Sequence, residues 1–266
     1  MKYIKLMRSI GRMAKRVPPT RYPDAVAVAY YRSINQLITE LGKATLAMFD
    51  EHIRKQIKLY EADSFRQDAP LDVIRTAIDM IKGLSLNIFN SNKVQSIAQG
   101  FMNSLNLFNT NNMQAQGKVK GIDPTQYEPW LESFMRTSVA ENTSYITTIR
   151  DEYFPRIESI IYQGIKNGSG AKKIRDQLVE RVGMTRKRAM FIAVDQTGSI
   201  MGQMTAKRHQ QMGVSKFKWV TSQDERVRKT HSELSNKVFS YSDPPAVGLP
   251  GTDYRCRCVA IPVFDD

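Results

Sequence analysis

The residues whose types and spacing could do chemistry gather near the C-terminal end of the chain. In order they are Trp219, the run Asp224-Glu225-Arg226-Val227-Arg228, then His231, a Pro-containing loop at Pro244-Pro245 and Pro250, and finally Cys256-Arg257-Cys258. If residues 224–232 form a short helix, Asp224, Arg228 and His231 share one face, because steps of four and seven residues are about one and two turns. In an extended strand Cys256 and Cys258 point to the same side and Arg257 to the other. A helix bearing His and a strand bearing a Cys pair could therefore bind Zn2+ through Asp224, His231, Cys256 and Cys258. The bland alternative has His231 hydrogen-bonded to a buried carboxylate and the thiols filling space beside Trp219. A nucleophilic Cys–His pair would need a cleft and a depressed thiol pKa. The sequence supplies a signal for neither.

Other segments invite chemical readings of their own. Gly168-Ser169-Gly170 ahead of Lys172 and Lys173 could seat a phosphate at a helix start, but the Gly-x-x-x-x-Gly-Lys-Ser/Thr arrangement is missing. An ordinary loop and cap is the simpler reading. The segments flanking Val182-Gly183-Met184, with Arg181, Arg186, Lys187 and Arg188, outline a helix-turn-helix; Met190, Ile192 and Val194 point instead to a core helix with a solvated basic end. The three histidines, His52, His209 and His231, make no metal-nuclease cluster in sequence, and no Glu-x-Glu pair of the transferase kind occurs. The expectation is a protein that is not an enzyme.

These residues must be positioned mainly by helices. Ile34, Leu37, Ile38, Leu41, Leu46, Phe49, Ile53 and Ile57 mark one apolar face between Asp24 and about Ser64, with Gly42 as a place for a bend. Asp68-Ala69-Pro70 opens a helix from Leu71 to Phe89, and a shorter one follows from Lys93 to Phe108. The Asn-rich stretch from Asn103 to Gln116 reads as a helix end running into a linker. Asp123-Pro124 restarts a helical run from about Glu128 to Asn167, kinked at Pro155. Ala171–Arg181 and Thr185–Met212 read as two further helices. Only after Gly213 does the period change to two, at 216–220, 238–241 and 256–263. The fold class is mostly α, with long helices followed by a small C-terminal α+β module.

Charge is the first clue to partners. The 266 residues carry a formal charge of +13. Residues 1–21 hold seven basic side chains and no acidic ones, and the alternation of cations with Tyr3, Leu6, Ile10, Met13 and Val17 makes this segment a basic amphipathic arm. Such charge draws polyanions (DNA, RNA, an acidic membrane face or an acidic protein groove), and charge alone does not choose among them. No apolar run approaches a bilayer span, so no membrane anchor is expected. Two cysteines make no disulfide framework, which fits a reducing compartment.

Taken together, Trp219, Asp224, Val227, Arg228, His231, Pro250, Cys256, Arg257 and Cys258 resemble the head-morphogenesis domain of phage Mu protein F-like minor head proteins. Gly213 ahead of the Trp fits the same pattern. Val194-Asp195-Gln196-Thr197 stands where the family often has an Arg-Thr-Glu-Thr-like stretch, a departure in which Val194 and Asp195 replace the Arg and the Glu. The resemblance covers about residues 150–266. With the boundary placed at the Asn-rich stretch, the chain divides into a basic arm (1–21), a helical domain with an Asn-rich linker at its end (22–122), and a Mu F-like domain (123–266; helical 123–213, α+β 214–266). The resemblance implies a protein assembled in the bacterial cytoplasm and carried in the virion, in the head interior or at the portal vertex. The implied partners are the portal protein, capsid or scaffold proteins and packaged DNA, with a role in head assembly or genome delivery. Expected contact residues are Lys2, Lys5, Arg8, Arg12, Lys15, Arg16, Lys172, Lys173, Arg186, Lys187 and Arg188, and Trp219 and Arg228 are expected in the module core. The competing reading is a DNA-binding regulator that reads sequence with the basic helices around 171–195.

Overall fold

The computed structural model describes residues 16–62 and 71–264. The expected contact residues Lys2, Lys5, Arg8, Arg12 and Lys15 lie outside them. The elements in chain order are α1 (Asp24–Met48), a π turn (Phe49–Ile53), α2 (Arg54–Ala62), α3 (Leu71–Ile88), α4 (Ser91–Gly117), α5 (Leu131–Lys166), α6 (Ala171–Gln211), β1 (Lys216–Val220), α7 (Lys229–Ser232), β2 (Val238–Ser240) and β3 (Val259–Val263). Long helices followed by a small α+β end is the fold class read from the sequence. Among the described residues, no helix is long and apolar enough to cross a membrane.

The chain forms two compact units. Among the described residues, one comprises those within 24–103 and 132–196; the other comprises 104–131 and 197–264 together with 16–23. Both are discontinuous in sequence, and α4 and α6 contribute to each.

The first unit is entirely helical. Its core takes Ile34, Leu37, Ile38 and Leu41 from α1, Ile74 and Ile81 from α3, Ile146, Ile149 and Ile161 from α5, and Ile174 and Leu178 from α6. Leu41, Thr45, Phe49, Ile53 and Ile57 are all buried. Steps of four residues outrun the 3.6-residue α turn, and the π turn at Phe49–Ile53 absorbs the excess. Gly42 does not bend α1; a Cβ there would press on the Val182 side chain, so the glycine is a contact point. A chain of buried polar groups links three of these helices. Tyr30 donates to Asn142 Oδ1 at 2.9 Å, Asn142 donates to Gln196 Oε1 at 3.3 Å, and the Tyr30 ring stacks on Phe101 at 4.0 Å.

Two features of the helices differ from the pattern expected of them. The Asn-rich stretch 103–116 is helical to Gly117, not a linker. Asparagine favours loops when its side chain competes for backbone hydrogen bonds. Here Asn109 is buried and engaged elsewhere, donating to Thr205 Oγ1 and accepting from Arg208. Likewise α6 runs unbroken through Val182-Gly183-Met184. One interior glycine costs about 1 kcal/mol, too little to break a helix anchored by the buried Leu178, Val182 and Ala189. The helix-turn-helix outline therefore has no turn. At the other end of α5, Gly168 adopts φ +62°, with Ser169 N–H bonded to Gly164 O and Gly168 N–H to Ile165 O. This left-handed cap ends the helix, so Gly168-Ser169-Gly170 is a stop and a restart.

The second unit sets α4 and α6 residues beside a three-stranded antiparallel sheet of order β2-β1-β3. Phe217 pairs with Phe239 on one side and Pro262 on the other. In β1 the alternation puts Phe217 and Trp219 in the core and Lys216 in solvent. Gly213 repeats the left-handed cap and leads through buried Val214 toward β1. At the end of α6, fully buried Arg208 meets Glu128 through two hydrogen bonds of 2.6 and 3.0 Å, and Asn109 and Asn106 at 2.7 and 2.8 Å. A desolvated guanidinium is tolerable only with this degree of satisfaction.

The next residue, His209, is equally buried. Its Nε2 faces Gln116 Oε1 at 3.2 Å and its Nδ1 faces the Tyr241 hydroxyl at 2.6 Å. Gln116 is oriented by its own donation to Pro18 O at 3.1 Å. Nε2–H therefore donates to Gln116, and Tyr241 O–H donates to Nδ1. Burial pushes the imidazole pKa down to about 3. The folded value lies below the unfolded one, so the unfolded chain takes up the proton first. This contribution to stability is complete above about pH 6.5 and is lost as pH falls toward 3. Urea titrations at pH 7 and pH 4.5 are expected to show wild type losing about 3 kcal/mol more than His209→Gln over that interval. Equal losses in the two proteins would refute the assignment.

Candidate functional site

The site is built on a turn, a one-turn helix and the loop before β3. Residues 224–227 form a turn, and α7 begins only at Lys229. Cys256 and Cys258 lie just ahead of β3 in a stretch that belongs to no strand. Arg255, at φ +51°, bends the backbone into it. The two thiols nevertheless face the same side, as expected. Cys256 Sγ lies 3.4 Å and Cys258 Sγ 3.6 Å from His231 Nδ1. The three donor atoms all lie within 4.8 Å of one another, and all three residues are buried.

Asp224 does not join them. With the helix starting later than expected, Asp224 is carried outward and bonds Arg257 and, at 3.3 Å, Arg226. Partial burial opposes ionisation, but the hydrogen bond and charge of Arg257 hold its carboxyl below the usual carboxylate range. The carboxylate beside His231 is instead Asp253, whose Oδ2 is 3.1 Å from Nε2. Arg228 donates to the same oxygen at 2.7 Å and to Tyr254 O. Arg228 is thus an exposed clamp and not a core residue. Trp219 is fully buried, its ring meeting His231 edge to face at 5.5 Å.

A carboxylate can only accept, so Nε2 carries the imidazole hydrogen and Nδ1 presents its lone pair to the thiols. The two sulfurs differ. The hydrogen bond shared with Cys258 lowers the Cys256 thiol to about 6, whereas the same bond raises Cys258. The buried Trp219 N–H faces Cys258 and opposes that rise, favouring a thiolate there. This arrangement can hold a soft cation or a shared proton.

Asp253 escaped the sequence reading because its contact with His231 is made across a Pro- and Gly-containing loop. Two glycines escaped too, although their spacing was a signal. Gly198 and Gly202 lie one turn apart on α6; a Cβ on the first would overlap the Cys256 carbonyl, and on the second the Pro250 carbonyl. Glycines four apart in a helix mark close backbone approach. They seat the loop that carries both thiols.

The expected cationic contacts are exposed where the structure describes them. Arg16 is exposed, as are Lys172, Lys173, Arg186, Lys187 and Arg188 on α6. The two α6 groups are fourteen residues apart, which places them on one side of the helix about 21 Å from each other. Lys172 pairs with Asp176 at 3.3 Å, and Arg186 reaches the Thr39 hydroxyl at 3.3 Å.

Residues 155–261 match the model of the phage Mu protein F like protein family. Over this stretch the chain is similar to that family. An uncharacterized protein of Haemophilus influenzae is 27% identical over 98% of this chain, and the chain spans 58% of that relative's length. The NAD(+)--arginine ADP-ribosyltransferase EFV of Enterococcus faecalis is 27% identical over 44% of this chain and 27% of its own. An uncharacterized protein of Methanocaldococcus jannaschii is 28% identical over 44% of this chain and 18% of its own. No solved structure matches the chain.

If the glycines seat the loop, Gly198→Ala and Gly202→Ala each destabilise the protein by about 1–3 kcal/mol through overpacking. Gly183 sits in the same helix with open space at its Cβ position. Gly183→Ala is expected to raise stability by about 0.5–1 kcal/mol. Thermal melts of the three variants check this, and a uniform gain across them would contradict the seating role.

Proposed function

We propose that the chain is a non-catalytic minor head protein, bound near the portal vertex, that contacts packaged DNA through exposed cations. The observation that carries this reading is the coincidence of the family match over 155–261 with cations exposed along α6. Packaged DNA carries dense phosphate charge. Lys and Arg side chains placed against it release condensed counterions, and that gain is independent of sequence. A net charge of +13 supports the same assignment. Partner proteins would be the portal and capsid or scaffold subunits. No reaction is assigned. The relative named as an ADP-ribosyltransferase aligns over about a quarter of its own length, and its activity is not carried over to this chain.

The chain should be pulled down by the portal protein of the same phage and should be present in purified particles. It should also bind random duplexes with nearly equal affinity and a steep salt dependence. The triple variant Arg186→Ala, Lys187→Ala, Arg188→Ala is expected to weaken binding to every duplex alike. It should also lower the slope of log K against log salt by about two to three. A marked preference for one sequence that persists at moderate salt would favour the regulator reading instead. Absence from purified particles would remove the head assignment.

A further inference from the structure

The charged surface and the family match leave the cluster of His231, Cys256 and Cys258 unexplained. From its geometry we infer that these three residues bind one zinc ion, which ties α7 to the loop ahead of β3.

The distances match the donor spacing of a bound ion. Tetrahedral zinc, with Zn–S of about 2.3 Å and Zn–N of about 2.0–2.1 Å, sets its nitrogen and sulfur donors about 3.6 Å apart. Cys256 Sγ and Cys258 Sγ stand 3.4 and 3.6 Å from His231 Nδ1. An imidazole nitrogen has a single in-plane lone pair and can satisfy one thiol, not two. A cation at the centre of the triangle satisfies all three donors at once.

The surroundings match what metal-binding histidines require. Asp253 accepts from Nε2–H at 3.1 Å, which fixes the tautomer with Nδ1 free to ligate. Arg228 holds that carboxylate in turn, at 2.7 Å. The buried Trp219 N–H faces Cys258 and is available to a metal-bound thiolate. Phe217, Trp219 and Ala260 close an apolar shell around the group. A site of thiolates and imidazole in an apolar shell selects zinc over magnesium or calcium, which prefer oxygen. Asp224, engaged by Arg257, is not a ligand. The described residues supply three donors and leave the fourth position of a tetrahedral ion open.

The full-length chain, expressed with zinc in the medium and purified without chelator, should carry about one zinc per chain by elemental analysis. Replacing zinc with cobalt(II) should produce thiolate-to-cobalt charge-transfer absorption and the strong visible bands of a tetrahedral ion. Cys256→Ser and Cys258→Ser should each weaken that charge transfer. Asp253→Asn should keep one zinc at saturation but bind it about 10–100-fold more weakly. Removing zinc from wild type should lower its melting temperature, and adding zinc back should restore it. Should the serine variants fail to fold, a competition titration of wild type against a chromophoric chelator still decides the matter. A helical, folded wild-type chain that takes up neither zinc nor cobalt at stoichiometric concentration would overturn the proposal. So would a cobalt spectrum unchanged by both serine substitutions. Each readout concerns the purified chain alone, so it stands apart from the portal and DNA assignments.

Discussion

The C-terminal module depends on a close approach of backbone to backbone. At Gly198 and Gly202 the α6 helix offers no side chain, and the carbonyls of Cys256 and Pro250 occupy that space. Gly251, at φ +94°, lets the loop fold back against Gly198. Once the loop is pinned in this way, its next residues have little freedom. Asp253 meets Arg228 and His231, and Cys256 and Cys258 face the imidazole. The thiols are thus positioned by contacts made with the loop's backbone. A side chain at either glycine would move the loop by more than the few tenths of an ångström that a three-atom donor set tolerates.

The same helix carries the unit's most demanding polar residues in its last turns. Arg208 and His209 are consecutive, fully buried and differently solved. The guanidinium is answered by a carboxylate and two amide oxygens, so it stays charged. The imidazole is answered by a phenol and an amide and stays neutral. Both solutions draw on α4, through Asn106, Asn109 and Gln116. This explains why a stretch that looks like a linker is a helix. Its amides are spent on partners about a hundred residues away, and nothing within a local window reports that.

What was legible followed physical periodicity. The i, i+3, i+4 recurrence in α1 and the strict alternation of β1 identified their buried faces, because burial there is set by the element's own geometry. The approach of His231 to Cys256 and Cys258 was legible as well, since two side chains two apart in extended chain share a side. Asp224 was misplaced for a reason of the same kind. Its spacing to Arg228 and His231 suits a helix, but the chain turns at 224–227 and becomes helical only at Lys229. The carboxylate was of the right type at the wrong address. Asp253 reaches the histidine by way of a loop whose path depends on the glycine contacts, and a linear pattern cannot encode that path. The glycine pair itself was readable from spacing alone.

The family match begins within α5 and ends within β3, so it takes residues from both compact units. It therefore does not delimit an autonomous folding unit. What it encloses is the whole of α6, with exposed cations toward the helix start and the loop-seating glycines toward its end. Charge that acts without sequence discrimination and a module fixed by backbone contact make different demands on evolution. Cations can shift by a turn and still meet phosphate, whereas the glycines, His231 and the two cysteines tolerate almost no displacement. A chain built on this plan can vary widely in its helical surface while holding its C-terminal geometry constant.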